Sequence, residues 1–220
     1  MEIRVLKNIL SANDQIADHN RQLLQENGIY TVNIMASPGA GKTSVIMETV
    51  KRLKDKVKIG VIEGDISSNI DAQTVGKTGI PVVQINTGGE CHLDASMISS
   101  ALKNMPLPEI KVLLIENVGN LVCPAEFALG ENLKVLVTHT PEGDDKPYKY
   151  PLMFNTVDAI IINKIDLLPY VKFNIESFSQ KVKSLNGKVK IFPLSCTTGD
   201  GIDVWIEWLT RQAISASGSG

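Results

Sequence analysis

Apolar positions along the chain change their period once. From Ser11 to Asn27, Ile16, Leu23 and Leu24 recur on one face of a predicted helix, with Ser11 or Asn13 placed to cap its start and Gly28 to stop it. Beyond Gly28, short β-rich apolar runs alternate with helix-length segments. The runs are TVNIMA (31–36), VKIGVIE (57–63), PVVQIN (81–86), VLLIEN (112–117), KVLVTH (134–139), DAIIIN (158–163) and VKIFPLS (189–195). Thr43–Lys54, Leu93–Lys103 and Asn174–Leu185 read as helices between them. Several runs are almost continuously apolar, as strands buried on both faces require. The alternation predicts an α/β fold, a mainly parallel β-sheet flanked by helices.

The pattern divides the chain into an amino-terminal helical extension over 1–28, one layered domain over 29–213, and a small, polar, disordered tail over 214–220. Pro141–Pro151, PEGDDKPYKYP, is a polar loop longer than a minimal connection, and such loops often carry function.

Composition narrows the function classes. A formal net charge of −2 over 220 residues supplies no global positive field, which argues against a nucleic-acid or anionic-membrane partner. No apolar run approaches the roughly 20 residues that span a bilayer. MEIRVLKNILSANDQ lacks the apolar segment of a secretory signal, so the expected address is cytoplasmic. The 3 cysteines, an odd number, are read singly as core fillers, metal ligands or reactive thiols.

Candidate chemistry begins where the first strand meets Ala36-Ser-Pro-Gly-Ala-Gly-Lys-Thr43. Alanine replaces the usual first glycine of a phosphate-binding loop, at a position that needs a small residue. Gly39, Ala40 and Gly41 let the backbone curl its N–H groups toward phosphate oxygens, and the following helix adds its positive end. Lys42 reaches the β- and γ-phosphates; Thr43 supplies a hydroxyl to magnesium, and Ser44 follows in the same turn.

Asn163-Lys164-Ile165-Asp166 follows the strand DAIII. The Asp166 carboxylate accepts two hydrogen bonds from guanine and would be stranded beside adenine, so a site built on it selects the base strongly. Lys164 lays its stem over the base and Asn163 braces the loops. Ser195 and Cys196, after the last strand, stand where a second loop contacts the base, which makes Cys196 a loop residue rather than a reactive thiol. The expected ligand is therefore GTP or GDP.

Strand ends supply acids as well. Glu63-Gly64-Asp65 and Glu116-Asn117-Val118-Gly119 lie at the carboxyl ends of two strands, where ligands sit in open α/β sheets. Glu116 with Gly119 has the spacing of a DxxG switch, and the Gly119 amide is placed to sense the γ-phosphate. Lys42, Asp65, Glu116 and Gly119 form the expected catalytic set. Asp65 and Glu116 divide magnesium binding and water positioning in an order that spacing leaves open, and the lack of a glutamine after Gly119 predicts slow turnover.

Cys91 and His92 open the next helix, and Cys123 lies in the loop after Gly119. Two thiolates and an imidazole suit Ni2+ or Zn2+. Three donors leave a four-coordinate ion incomplete, which two facing chains would remedy. His19 and His139 have no cysteine neighbours and read as surface or packing residues.

Together SPGAGKT, VIEGD, NTGGECHLDASMI, ENVGNLVCP, EGDDKPYKYP and NKIDLLPY resemble the HypB-type GTPases of [NiFe] hydrogenase maturation, over nearly the whole chain after Tyr30. The resemblance implies a SIMIBI-type P-loop NTPase that hydrolyses GTP and forms a nucleotide-dependent homodimer. It also implies a metal site matched by Cys91, His92 and Cys123, and partners in a nickel-handling chaperone and the hydrogenase large subunit. The chain lacks both the amino-terminal cysteine motif and the histidine-rich stretch that some members carry. The urease-type nickel-insertion GTPases show Cys-Pro-His where this chain has Cys91-His92. GTPases serving cobalamin enzymes leave the Cys-His-Cys set unexplained, and a metal-storage module without hydrolysis leaves Lys42, Thr43 and NKID unused.

Overall fold

All of the apolar runs become strands of one sheet. In the computed structural model, which describes residues 2–65 and 70–217 and side chains over 10–64 and 72–215, the strands are β1 (Tyr30–Ala36), β2 (Ile59–Asp65), β3 (Val82–Asn86), β4 (Val112–Gly119), β5 (Leu133–His139), β6 (Ala159–Asn163) and β7 (Lys190–Pro193). Their order is β3-β2-β4-β1-β5-β6-β7, and every pairing is parallel. The helices are α1 (Glu2–Glu26), α2 (Lys42–Leu53), α3 (Ile70–Gly76), α4 (Ala95–Leu102), α5 (Lys146–Lys149), α6 (Pro151–Thr156), α7 (Ile175–Leu185) and α8 (Ile202–Ser217).

Alternation along each strand separates the two faces of the sheet. Val112 and Leu114 of β4 pack with Val45, Ile46 and Val50 of α2 and Trp205 and Leu209 of α8. Leu113 and Ile115 pack with Leu24 of α1 and Ile98 and Leu102 of α4. A third cluster joins Leu136, Ile160 and Ile162 to Phe154 of α6 and Phe178 of α7. Burial on both faces is what made the runs so uniformly apolar. Because β4 and β5 flank β1, the loops after these strands converge at their carboxyl ends, the usual place for a ligand in such sheets.

Several expectations change. Helix α1 begins at Glu2, not Ser11, so Ser11 and Asn13 lie inside it and not at its start. Ile16 is exposed, and the buried stripe runs Asn13, Ala17, Asn20, Leu24. Half of that stripe is amide, which a search for apolar periodicity passes over. Gly28 does end the helix, at φ 64, with its N–H on the Gln25 carbonyl. The segment read as a polar loop, Pro141–Pro151, holds the end of the 3-10 turn Thr140–Glu142, the short helix α5 and the first residue of α6. Prolines stand in the first turns of both helices, where the missing N–H costs nothing. Helix α8 runs through Ser217 and so enters the stretch expected to be a tail; 218–220 lie outside the described residues. Among the described residues, no helix is long and apolar enough to cross a membrane.

One buried polar contact locks α8 to α2: the Trp205 indole N–H donates to Thr49 Oγ1 at 3.1 Å, with both side chains 1% exposed. Thr49→Val keeps the shape and strands the indole N–H, a loss of about 1–3 kcal/mol. Urea denaturation followed by tryptophan fluorescence checks this; an unchanged midpoint contradicts it.

Candidate nucleotide and metal sites

The turn after β1 has the backbone that a phosphate cradle needs. Gly39 and Gly41 take φ 74 and 92, open to glycine at little cost. A Cβ on Gly41 would meet Asn163 Nδ2 at 2.5 Å. Ala36, where glycine is usual, is fully buried.

Asn163, at the end of β6, draws three loops together. Its Nδ2 donates to the Ala40 carbonyl at 3.0 Å, and its Oδ1 accepts from the N–H groups of Lys164 (2.8 Å) and Cys196 (3.3 Å). Lys164 is in the left-handed region, φ 60, and its Nζ reaches the Gly39 carbonyl at 2.8 Å. Ser195 Oγ donates to Asp166 Oδ1 at 2.5 Å and accepts from Thr197 and Thr198 N–H, so the segments after β6 and β7 meet directly. Thr43, Ser44, Cys196 and Thr197 line one cleft of about 480 Å³ beside this junction.

Glu116 supplies the acidic side. It is buried, accepts from Thr43 Oγ1 at 3.0 Å and lies 4.0 Å from Lys42 Nζ. Glu63, which sequence reading passed over for Asp65, pairs with Glu116 across β2 and β4 and is equally buried. The missed signal was period two: Val61 and Glu63 share the α2 side, whereas Ile62 and Gly64 face Leu93. Asp65 ends β2, and its side chain lies outside the described residues. Gly119 packs on the phosphate-binding turn: a Cβ there would lie 3.3 Å from Pro38 and 3.4 Å from Lys42 Nζ. Hydroxyl and carboxylate oxygens so close together form a hard donor set, which fits magnesium.

The segment Pro141–Pro151 was flagged without a residue, and Glu142 is the one that matters. Its carboxylate accepts from Ser37 Oγ (2.6 Å), Thr138 Oγ1 (2.5 Å) and His139 N–H (3.2 Å), with Lys146 Nζ 3.6 Å away. It thereby ties the phosphate-binding turn to β5. Burial, with Lys164 and Lys146 nearby, holds the His139 imidazole below its usual pKa against the pull of Glu142. His139 is a packing residue here, and His19 is exposed.

Cys91, His92 and Cys123 come together. Their donor atoms all lie within 4.8 Å of one another, with Cys91 Sγ 3.1 Å from Cys123 Sγ and 3.8 Å from His92 Nδ1. Phe127 packs on the imidazole, ring centroids 4.0 Å apart. Asn120 donates to the Cys91 carbonyl at 3.2 Å and accepts from Val122 N–H, closing one loop on the other. The hydrogen bond with Cys91 and then burial raise the Cys123 thiol above its ordinary range; a soft divalent ion would reverse that by stabilising thiolates.

Cys196 contrasts with this pair. Burial, then the Glu48 carboxylate, push its thiol up to about 11. The native state thus holds a proton that the unfolded chain releases, so this stabilising effect is whole at neutral pH and is lost as pH rises from the ordinary thiol range toward about 11. Iodoacetamide at pH 8 should spare Cys196 in the folded protein and label it after unfolding, as peptide mass spectrometry would read. Labelling of native Cys196 at the unfolded rate would contradict the assignment.

Comparison with known proteins agrees with this geometry. The family model of the CobW/HypB/UreG nucleotide-binding domain matches residues 30–193. The hydrogenase maturation factor HypB of Escherichia coli strain K12 is 45% identical over 204 residues, 93% of this chain and 70% of that protein. The solved structure of HypB from Archaeoglobus fulgidus matches at 41% identity with a TM-score of 0.87, covering 92% of this chain and 99% of that one. HypB from Helicobacter pylori, solved in complex with nickel, matches at 36% identity with a TM-score of 0.88, covering 93% and 96%. With the family model spanning most of its length and such relatives nearly all of it, the chain belongs to the CobW/HypB/UreG nucleotide-binding family and, within it, to the HypB hydrogenase maturation factors.

Proposed function

We propose that the protein is a GTP-hydrolysing metallochaperone that couples GTP-dependent dimerisation to nickel delivery during [NiFe] hydrogenase maturation. One observation carries the reading: β4 serves both sites. Glu116 points to the nucleotide side and accepts from Thr43. The next residue, Asn117, points through the opposite face and accepts from Leu93 N–H at 3.1 Å, directly after His92. Past Gly119 the same chain segment carries Cys123.

The roles follow from position. The phosphate-binding turn and Lys42 hold the phosphates, and Asp166 reads the guanine edge while Lys164 covers the ring. Thr43 and Glu116 would hold Mg2+, which neutralises phosphate charge when bound. Asp65, at the end of β2, is assigned to the attacking water. With no glutamine directly following Gly119 in the sequence, intrinsic turnover is expected to be slow. GTP draws the Gly119 amide toward the γ-phosphate, moving Asn117 and Cys123 together, and hydrolysis releases them. Nickel or zinc is the cargo, held by Cys91, His92 and Cys123 and completed by the same residues of a second chain. In a reducing cytoplasm the two thiols would stay available as ligands. The recipients are a nickel-handling chaperone and the hydrogenase large subunit, as in the maturation that the relatives' names describe.

Phosphate-release assays test the hydrolytic half. GTP should be turned over and ATP should not, and Asp166→Ala should cut kcat/KM for GTP by at least about 100-fold, because the guanine N–H donors then lose their acceptor. Cys91→Ala should leave turnover near the parent value while removing the nickel–thiolate absorption. Equal turnover of ATP, or undiminished nickel absorption in Cys91→Ala, contradicts the proposal.

A further inference from the structure

Beneath the metal loops runs a buried chain of amides, and two of its members come from α1. Asn13 uses both ends: Oδ1 accepts from Ala95 N–H at 2.9 Å, and Nδ2 donates to the Ala128 carbonyl at 2.9 Å. Asn20, fully buried, donates to the Ala95 carbonyl at 2.8 Å and the Leu129 carbonyl at 3.1 Å. Ala95 opens α4 just after Cys91 and His92, whereas Ala128 and Leu129 end the segment that begins at Cys123. Each asparagine therefore bridges the two stretches that carry the metal donors.

The rest of the chain fixes what α1 leaves. Asn117 holds Leu93 N–H and donates to Asn33 Oδ1 at 3.2 Å; Asn33 donates to Glu131, which accepts Leu129 N–H at 2.7 Å. The seat of α1 is close as well. A Cβ on Gly130 would lie 2.7 Å from the Ala17 carbonyl oxygen and 2.8 Å from Arg21 N, so the helix backbone rests directly on the chain there. A helix that served only to cover the sheet would bury an apolar stripe. This one alternates Asn13 and Asn20 with Ala17 and Leu24 in its buried stripe, and burying amides is unfavourable unless hydrogen bonds offset it. Both ends of Asn13 and the Nδ2 of Asn20 are bonded, while Asn20 Oδ1 accepts no hydrogen bond among the described residues. The bonds made here reach both metal loops.

We infer that Asn13 and Asn20 are positioning residues of the nickel site, and that α1 sets the separation between the Cys91–His92 loop and the Cys123 loop. The inference rests on the reading of those three side chains as nickel ligands. Removing the bridges lets the loops relax apart, which weakens metal binding without touching the phosphate cradle or the base loops.

The test measures nickel affinity by chelator competition and thiolate-to-nickel absorption in the full chain, together with GDP affinity and thermal midpoint. Asn13→Ala combined with Asn20→Ala should weaken nickel binding about tenfold, the lower range for loss of groups that orient ligands, with unchanged GDP affinity. Thr49→Val, destabilised in the opposite core cluster, should bind nickel as the parent does. If the double variant fails to fold, Asn13→Asp keeps the acceptor for Ala95 N–H and loses the donor to Ala128, and should still weaken nickel binding measurably. Parent-like nickel affinity in the folded asparagine variants, or an equal loss in Thr49→Val, overturns the inference. Cys91→Ala separates the two levels: if it binds nickel as the parent does, the ligand assignment itself is wrong.

Discussion

The hydrogen bond from Thr43 to Glu116 is the constraint from which the rest of the arrangement follows. It sets the start of α2 against the end of β4, so that the phosphate-binding turn, Lys42 and a buried carboxylate share one small volume. Successive residues of a β-strand face opposite sides of the sheet, so a shift of the β4 backbone is felt on both. A backbone shift at Glu116 carries Asn117 with it, and Asn117 holds the backbone beside His92. On the proposed reading, a nucleotide-dependent shift at Glu116 would pass to the metal loops through this single strand.

Asn163 plays the corresponding part on the base side. By bonding Ala40, Lys164 and Cys196 at once, it makes the turn after β1 and the segments after β6 and β7 one unit. Glu142 then ties that unit to β5 through Ser37 and Thr138. These buried polar bridges are worth most when every member is satisfied, since the low dielectric that strengthens a made bond also penalises a missing one. They confer a defined geometry on loops that would otherwise be free to rearrange.

Much of this was legible in the sequence because the signals were local. Strands buried on both faces leave unbroken apolar runs, and all of those runs became strands of the observed sheet. The glycines of the phosphate-binding turn and the NKID tetrad announce themselves by spacing. What escaped detection depends on partners distant in sequence. Glu63 matters through its register with Glu116, and Glu142 through Ser37, on another strand's end. The buried stripe of α1 was misread because Asn13 and Asn20 look solvent-facing until Ala95, Ala128 and Leu129 are in place to receive them. The short helix at Lys146–Lys149 and the start of the next at Pro151 were hidden by charge and proline, which read as loop in isolation.

The central claim is that the two sites exchange free energy through β4, and linkage makes this measurable in either direction. Nickel binding should be followed by calorimetry with the protein saturated first with GDP and then with a non-hydrolysable GTP analogue. The account predicts affinities that differ by at least about fivefold, the lower range for coupled sites. Identical affinities in the two nucleotide states would contradict it.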